Sequence, residues 1–209
     1  MRPNLLIVAS GVVCLAAVIH AVAFYPVKVA HAASTDAPAY TPTGEMLPPT
    51  NYREWIYLSS GIDMSYSAKP ADMTMFDNVF VNPAAYRAFL ATGTWPDKTV
   101  MVLEVREARG NGSINQHGHY QGTDLMGMEV HVKDESRFPG KWAFFSFDTP
   151  ASKGTLIPQA ASCYTCHAAH AAVDTTFVQF YPTLLPIAKE KHTLSAEFSK
   201  EEAQAKAAK

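Results

Sequence analysis

The sequence predicts an α+β fold: a mainly antiparallel β-sheet with flanking helices and a C-terminal helix that carries a pair of closely spaced cysteines. Three observations lead there. Residues 99–106, 125–133 and 142–147 are β-branched, alternating or aromatic runs separated by Gly-, Asn- and Pro-containing turns, the pattern of strands joined by hairpins. Ahead of them lies a helix bounded by Asn82-Pro83 and Gly93. After Pro158 the pattern turns helical and stays so to the C-terminus.

Taken in order, Thr50 can cap a helix over residues 52–58, stopping near Gly61. Residues 76–81 read as a short strand. Asn82 suits an N-cap and Pro83 the first helical position, which opens a helix through Leu90. In the first long strand, alternation puts Met101, Leu103 and Val105 on one apolar face. In the second it puts Met126, Met128, Val130 and Val132 on one face, and these faces should line the core or a cofactor. A further helical stretch over residues 174–192 is interrupted by Pro182 and Pro186. The charged, Ala-rich residues 193–209 read as a polar tail in a solvated helix.

Of the 209 residues, 48% are hydrophobic and 17% charged, the profile of one globular core. The net charge of −2 and the scattered basic residues exclude a nucleic-acid stripe. Residues 1–32 read as an export signal: Arg2 is followed by an apolar run over residues 5–24, and Ala30-His31-Ala32 satisfies the small-x-small cleavage rule. The alternative is a retained membrane anchor over residues 5–24, which are long enough to span a bilayer. Cleavage implies a periplasmic protein. Residues 33–49, rich in Pro, Thr and Ala, read as a flexible leader, and residues 50–192 as the folded domain.

Cys14 leaves with the signal, so the mature chain keeps only Cys163 and Cys166. An exported protein normally pairs cysteines between distant segments; these two can only close a tiny loop or hold something together. Cys163-Tyr164-Thr165-Cys166-His167 is a C-x-x-C-H run, the attachment signature of c-type haem. Two thiols three positions apart on one helical turn can reach both vinyl groups of one porphyrin, and the adjacent imidazole then falls over the iron. A zinc site would need two further ligands at suitable spacing, and no second cysteine pair exists. A thioredoxin-like pair belongs at an early strand-to-helix junction, not near the C-terminus.

Function then turns on the sixth iron position, closed by Met or His in an electron carrier and open in a gas-binding or catalytic protein. Met126, Met128, His117, His119 and His131 are the candidates for closing it. His170, three positions after His167, belongs to the haem edge. A carrier with Met126 or Met128 as axial ligand stays an alternative.

The stretches Val81-Asn82-Pro83-Ala84-Ala85-Tyr86, Gly118-His119-Tyr120-Gln121-Gly122, Arg137-Phe138-Pro139-Gly140 and Phe177-Val178-Gln179-Phe180-Tyr181-Pro182 resemble the cytochrome P-460 family, as does the late C-x-x-C-H run. The resemblance covers roughly residues 52–191. It implies a periplasmic, mostly β homodimer with a single five-coordinate haem c. One branch of that family oxidises hydroxylamine with a lysine cross-linked to the porphyrin and a distal carboxylate. Another, the cytochromes c-prime-beta, lacks the cross-link, caps the haem with phenylalanines and binds nitric oxide or carbon monoxide. By resemblance the cross-linking position falls at Leu103, which cannot form the bond, and the distal carboxylate at Glu129. The nearest lysine, Lys98, reads as a turn residue. With Leu103, Met128 and Phe76 as expected distal-pocket residues, the reading is a protein that binds or converts nitric oxide or a related nitrogen oxide. Hydroxylamine oxidation with Glu129 relaying protons is the alternative.

Overall fold

The computed structural model describes residues 36–65 and 73–207. The export signal and membrane-anchor readings of residues 1–32 lie outside the described residues. Among the latter, no helix is long and apolar enough to cross a membrane.

Six antiparallel strands follow one another across the sheet in chain order: β1 (Ile56–Ile62), β2 (Met75–Val81), β3 (Val100–Arg109), β4 (Tyr120–Lys133), β5 (Trp142–Phe147) and β6 (Thr155–Leu156). The helix α1 (Pro83–Thr92) joins β2 to β3, and α2 (Ser162–His170), α3 (Leu185–Glu190) and α4 (Ala196–Ala207) follow the sheet. The α+β expectation therefore holds, with the three strands of the middle at its centre.

Local chemistry accounts for the elements around the site. Pro83 starts α1, and Gly93 ends it in the left-handed conformation at φ 74°, where a side chain is disfavoured. Asn82 does not cap the helix with its side chain. Its amide donates to the Lys98 carbonyl at 3.1 Å, and its Oδ1 accepts from the Val100 amide at 3.0 Å, so it pins the start of β3 instead.

Two expectations are corrected. Residues 52–58 do not form one helix: a single 3-10 turn, Tyr52–Glu54, gives way to β1, because Ile56 to Ile62 pair with the edge of β2 and ladder pairing outweighs the local helix signal. Residues 36–49 are not a loose leader either. Met46 is 1% exposed and bridges to Gly154, while Tyr40 lies against Phe138 and Phe145, so two large apolar side chains anchor the Pro-rich segment on the sheet.

Register decides the faces. Val100, Val102, Met128, Val130, Val132, Ala143, Phe145 and Phe147 form one core with Met46, Tyr52 and Trp55 on the reverse face. On the front face Val81, Met101 and Trp142 join Phe89, Trp95, Val178, Leu184 and Ala188 in a second core beneath the helices. The apolar faces of β3 and β4 are thus opposite sides of the sheet: Leu103 stands across from Glu129, and Glu104 across from Met128.

Candidate functional site

Cross-strand rows describe the front face. The first row, Val81, Met101, His131 and Phe144, is buried. The second row, Val79, Leu103, Glu129 and Ser146, and the third, Asp77, Val105 and Gly127, are partly or fully open to solvent. Strands β3 and β4 lie in the middle of the sheet, where a half-open face with Leu103 and Val105 on it leaves room for a covering group.

At the border between closed and open rows stands His167. Helix α2 carries Cys163 and Cys166 one turn apart with His167 directly after, and both cysteines are unpaired and partly exposed. Tyr164, between the cysteines, ties the helix to the sheet: its hydroxyl accepts from the Phe144 amide at 3.2 Å and donates to the Ile157 carbonyl at 3.1 Å, and its ring meets Phe144 edge-on at 4.9 Å. The His167 ring rests against Phe177 at 4.2 Å, Phe144 at 4.6 Å and His131 at 5.2 Å.

The protonation of His167 follows from its partner. Nδ1 lies 2.7 Å from the Thr175 carbonyl oxygen. A carbonyl only accepts, so Nδ1 carries the hydrogen and Nε2 keeps its lone pair. Burial pushes the imidazole below the ordinary histidine range, partly offset by that hydrogen bond, which keeps it neutral near pH 7. A neutral imidazole with Nδ1–H held by a carbonyl is the form in which histidine ligates a metal.

Glu129 is solvent-accessible on its outer side but flanked by the sheet, and two effects raise its carboxyl: desolvation first, then the negative charge of Asp77. Asp77 is raised in turn by burial and by Asp63. Both carboxyls therefore hold a proton more firmly than free side chains, and both stand on the open rows beside Leu103 and Val105.

The structure brings Cys163, Cys166, His167, Leu103 and Glu129 to one side of the sheet. Met128 and Phe76, expected in the distal pocket, are not there. Met128 is 2% exposed in the reverse core, and Phe76 shares the parity of Asn78 and Phe80, on the reverse face of β2. Antiparallel register, invisible in single-strand alternation, separates them from Leu103. Met126 sits exposed at the bulge of β4, and His117 and His119 are exposed in the β3–β4 turn. His170 faces away and pairs with Glu201 of α4 at 2.5 Å. Lys98 is a turn residue paired with Asp134, as expected. The sequence did not single out Asp77, Thr175, Tyr164 or Phe177 as site residues. Phe177 lay within a recognised stretch, whereas the role of the Thr175 carbonyl leaves no side-chain signal.

A helix carrying the C-x-x-C-H run, laid along the half-covered face of an antiparallel sheet, defines a haem-binding cytochrome of the β-rich kind. The model of the family Cytochrome P460 matches residues 49–178, and the chain belongs to that family. That span includes the C-x-x-C-H run and every strand of the sheet. Comparison with curated proteins gave no match.

The residues fit a haem on the geometry alone. The imidazole is neutral with a free Nε2, the two thiols are unpaired on the same helix, and partly exposed apolar side chains lie on the same sheet face, one row beyond His131 and Phe144.

Proposed function

We propose that the chain is an exported monohaem c-type cytochrome, its haem held as thioethers by Cys163 and Cys166 with His167 as axial iron ligand, and that it binds or converts nitric oxide or a related nitrogen oxide. The observation that carries this reading is that His167, its Nδ1 held and its Nε2 free, packs on His131 and Phe144 of the sheet face whose next row holds Leu103. The haem supplies an iron that can take a small ligand and exchange an electron.

The chain's own residues do the rest. Thr175 fixes the His167 tautomer, Tyr164 fixes the helix, and Val79, Leu103 and Val105 offer an apolar surface that favours neutral diatomic molecules over charged ones. The methionines that the electron-carrier alternative needs at the sixth position stand elsewhere, Met128 on the reverse face and Met126 at the exposed bulge, which supports an open coordination site. Leu103 occupies the position where the resemblance puts a cross-linking lysine, and it has no amine to make that bond. Export rests on Arg2, the apolar run and Ala30-His31-Ala32. A homodimer is supported by the edge strand β1, where Tyr57 and Ile62 are exposed.

Optical titration tests the reading. The reduced protein should be high-spin and five-coordinate and should bind nitric oxide and carbon monoxide. A reduced form already low-spin that takes up neither gas contradicts it and restores the electron carrier.

A second reading, hydroxylamine oxidation, is favoured by one observation: Glu129, its carboxyl raised, stands directly across from Leu103 and could accept a substrate proton. It requires a lysine cross-link, and mass spectrometry of the haem peptide decides it. A mass equal to peptide plus haem, with two thioethers and no further bond, removes that reading.

A further inference from the structure

His131 is one of the residues that the sequence offers as an iron ligand, and its surroundings give it other work. It is 8% exposed, in the buried row of the front face. Its ring stacks on Phe144 at 4.0 Å with 12° between planes and tilts against Trp142 at 4.4 Å. Its Nε2 is hydrogen-bonded to the Thr175 hydroxyl at 3.2 Å. Burial, and then the neighbouring His167, push it well below the ordinary histidine range, so it is neutral.

Thr175 is the hinge of this arrangement. Its carbonyl accepts from His167 Nδ1, and its side chain holds His131 Nε2. The residue follows Asp174, whose φ is 51°, in the short turn where Val173 and Thr176 bridge. Backbone and side-chain hydrogen bonds of Val173, Asp174 and Thr176 hold the two sides of this turn; Thr175 itself is tied by its hydroxyl to the His131 ring, which packs against Phe144 and Trp142. The His131 ring also meets the His167 ring edge-on at 5.2 Å, which limits rotation of the imidazole about its own axis.

We propose that His131 is a positioning residue for His167: acting through the Thr175 hydroxyl, it sets the strength and direction of the hydrogen bond on Nδ1 and thereby tunes the iron that His167 would hold. The inference rests on the haem reading above. A carbonyl that accepts firmly from Nδ1 makes the imidazole a stronger donor and favours the ferric state. Loosening the clamp weakens that donation. Partners of metal-binding histidines carry effects of 10–100-fold.

The test uses the full-length, haem-loaded protein and three variants: Thr175→Val, which removes the hydroxyl but keeps the carbonyl; His131→Phe, which keeps a stacked ring but loses the bond; and His131→Gln, which keeps a donor and acceptor. Spectroelectrochemistry and the iron–histidine stretch of the reduced protein in resonance Raman spectra are the readouts. Thr175→Val and His131→Phe should each raise the potential by a roughly tenfold change in the redox equilibrium, ~59 mV for a one-electron couple. Both should lower the iron–histidine frequency. The double variant should go no further than either single one, and His131→Gln should recover much of the loss. A Thr175→Val protein with wild-type potential and frequency overturns the proposal, whether or not His131→Phe folds. Additive single effects overturn it as well. A wild-type protein that holds no covalent haem instead removes the reading on which the proposal rests.

Discussion

The two faces of one sheet have opposite economies. The reverse face is complete in itself: Val102, Val130 and Phe145 are fully buried in one cross-strand row, and the row beside it carries Asn78, Glu104, Met128 and Phe147, all nearly buried. Its buried carboxylate Glu104 is satisfied by Tyr52, Arg53, Arg106 and Asn78. The front face is complete only as far as His131 and Phe144. Beyond them Leu103, Val105 and Asp77 are only partly covered and Glu129 is exposed, and the two carboxyls are raised, Glu129 by desolvation and the charge of Asp77, Asp77 by desolvation and the charge of Asp63. Folding alone satisfies the first face, whereas the second is shaped for a further group. A site is thus recognisable as the part of a core that the chain leaves unfinished.

The largest expected effect breaks the front face only. Replacing Cys163 and Cys166 together with serine should abolish haem retention through acid-solvent extraction while the sheet still folds, with far-UV circular dichroism as the check on folding. A double variant that keeps its colour through extraction would break the link between the thiols and the cofactor.

Next comes a difference in packing cost. Phe145→Ala, in the closed reverse core, should lower unfolding free energy by about 3–5 kcal/mol. Leu103→Ala, on the open row, should cost less than about 2 kcal/mol in protein freed of haem. Denaturant titration of both variants against the parent measures the contrast, and equal costs would mean that the rows are equally packed.

How much of this was legible in the sequence follows the same divide. The C-x-x-C-H helix, the strands β2 to β5 and the start and stop of α1 were readable, since thiol spacing, β-branched runs and Pro and Gly punctuation are local signals. Glu129 and Leu103 were named separately, and nothing in either strand revealed that they stand opposite each other. Alternation gives two faces per strand; only the ladder says which face of β3 shares a side with which face of β4. That is why Met128 was assigned to the pocket with Leu103 and lies behind the sheet. The segment 52–58 misled because Thr50 and Gly61 punctuate a helix as well as they bound a strand. Thr175 was invisible for a different reason: its carbonyl, common to all residues, does the binding.

The smallest contrast is electrostatic. Glu104→Gln should cost about 2 kcal/mol through weakened charged hydrogen bonds. Glu129→Gln should be neutral or slightly stabilising at pH 7, since it removes a charge that its surroundings oppose. The signs with pH are opposite. Glu104, held below the ordinary glutamate range by Arg106, Tyr52 and Arg53 against the effect of its burial, contributes stability present at neutral pH and lost as pH falls through its folded value. Glu129 is raised, so its contribution is favourable in acid and is lost as pH rises through its folded value, at and above the ordinary range. Thermal unfolding from acid to neutral pH should therefore flatten at the acid end in Glu104→Gln and at the higher window in Glu129→Gln. Superimposable profiles for the two variants would mean that the faces do not differ in this way.

The central claim is that the unfinished face is completed by a haem fixed to Cys163 and Cys166 and gripped by His167. Acid-acetone treatment of the purified protein, followed by a pyridine haemochrome spectrum of the pellet, addresses it most directly. The account predicts a coloured pellet with the spectrum of a haem whose vinyl groups have become thioethers. A colourless pellet, with pigment in the solvent or none at all, would contradict it.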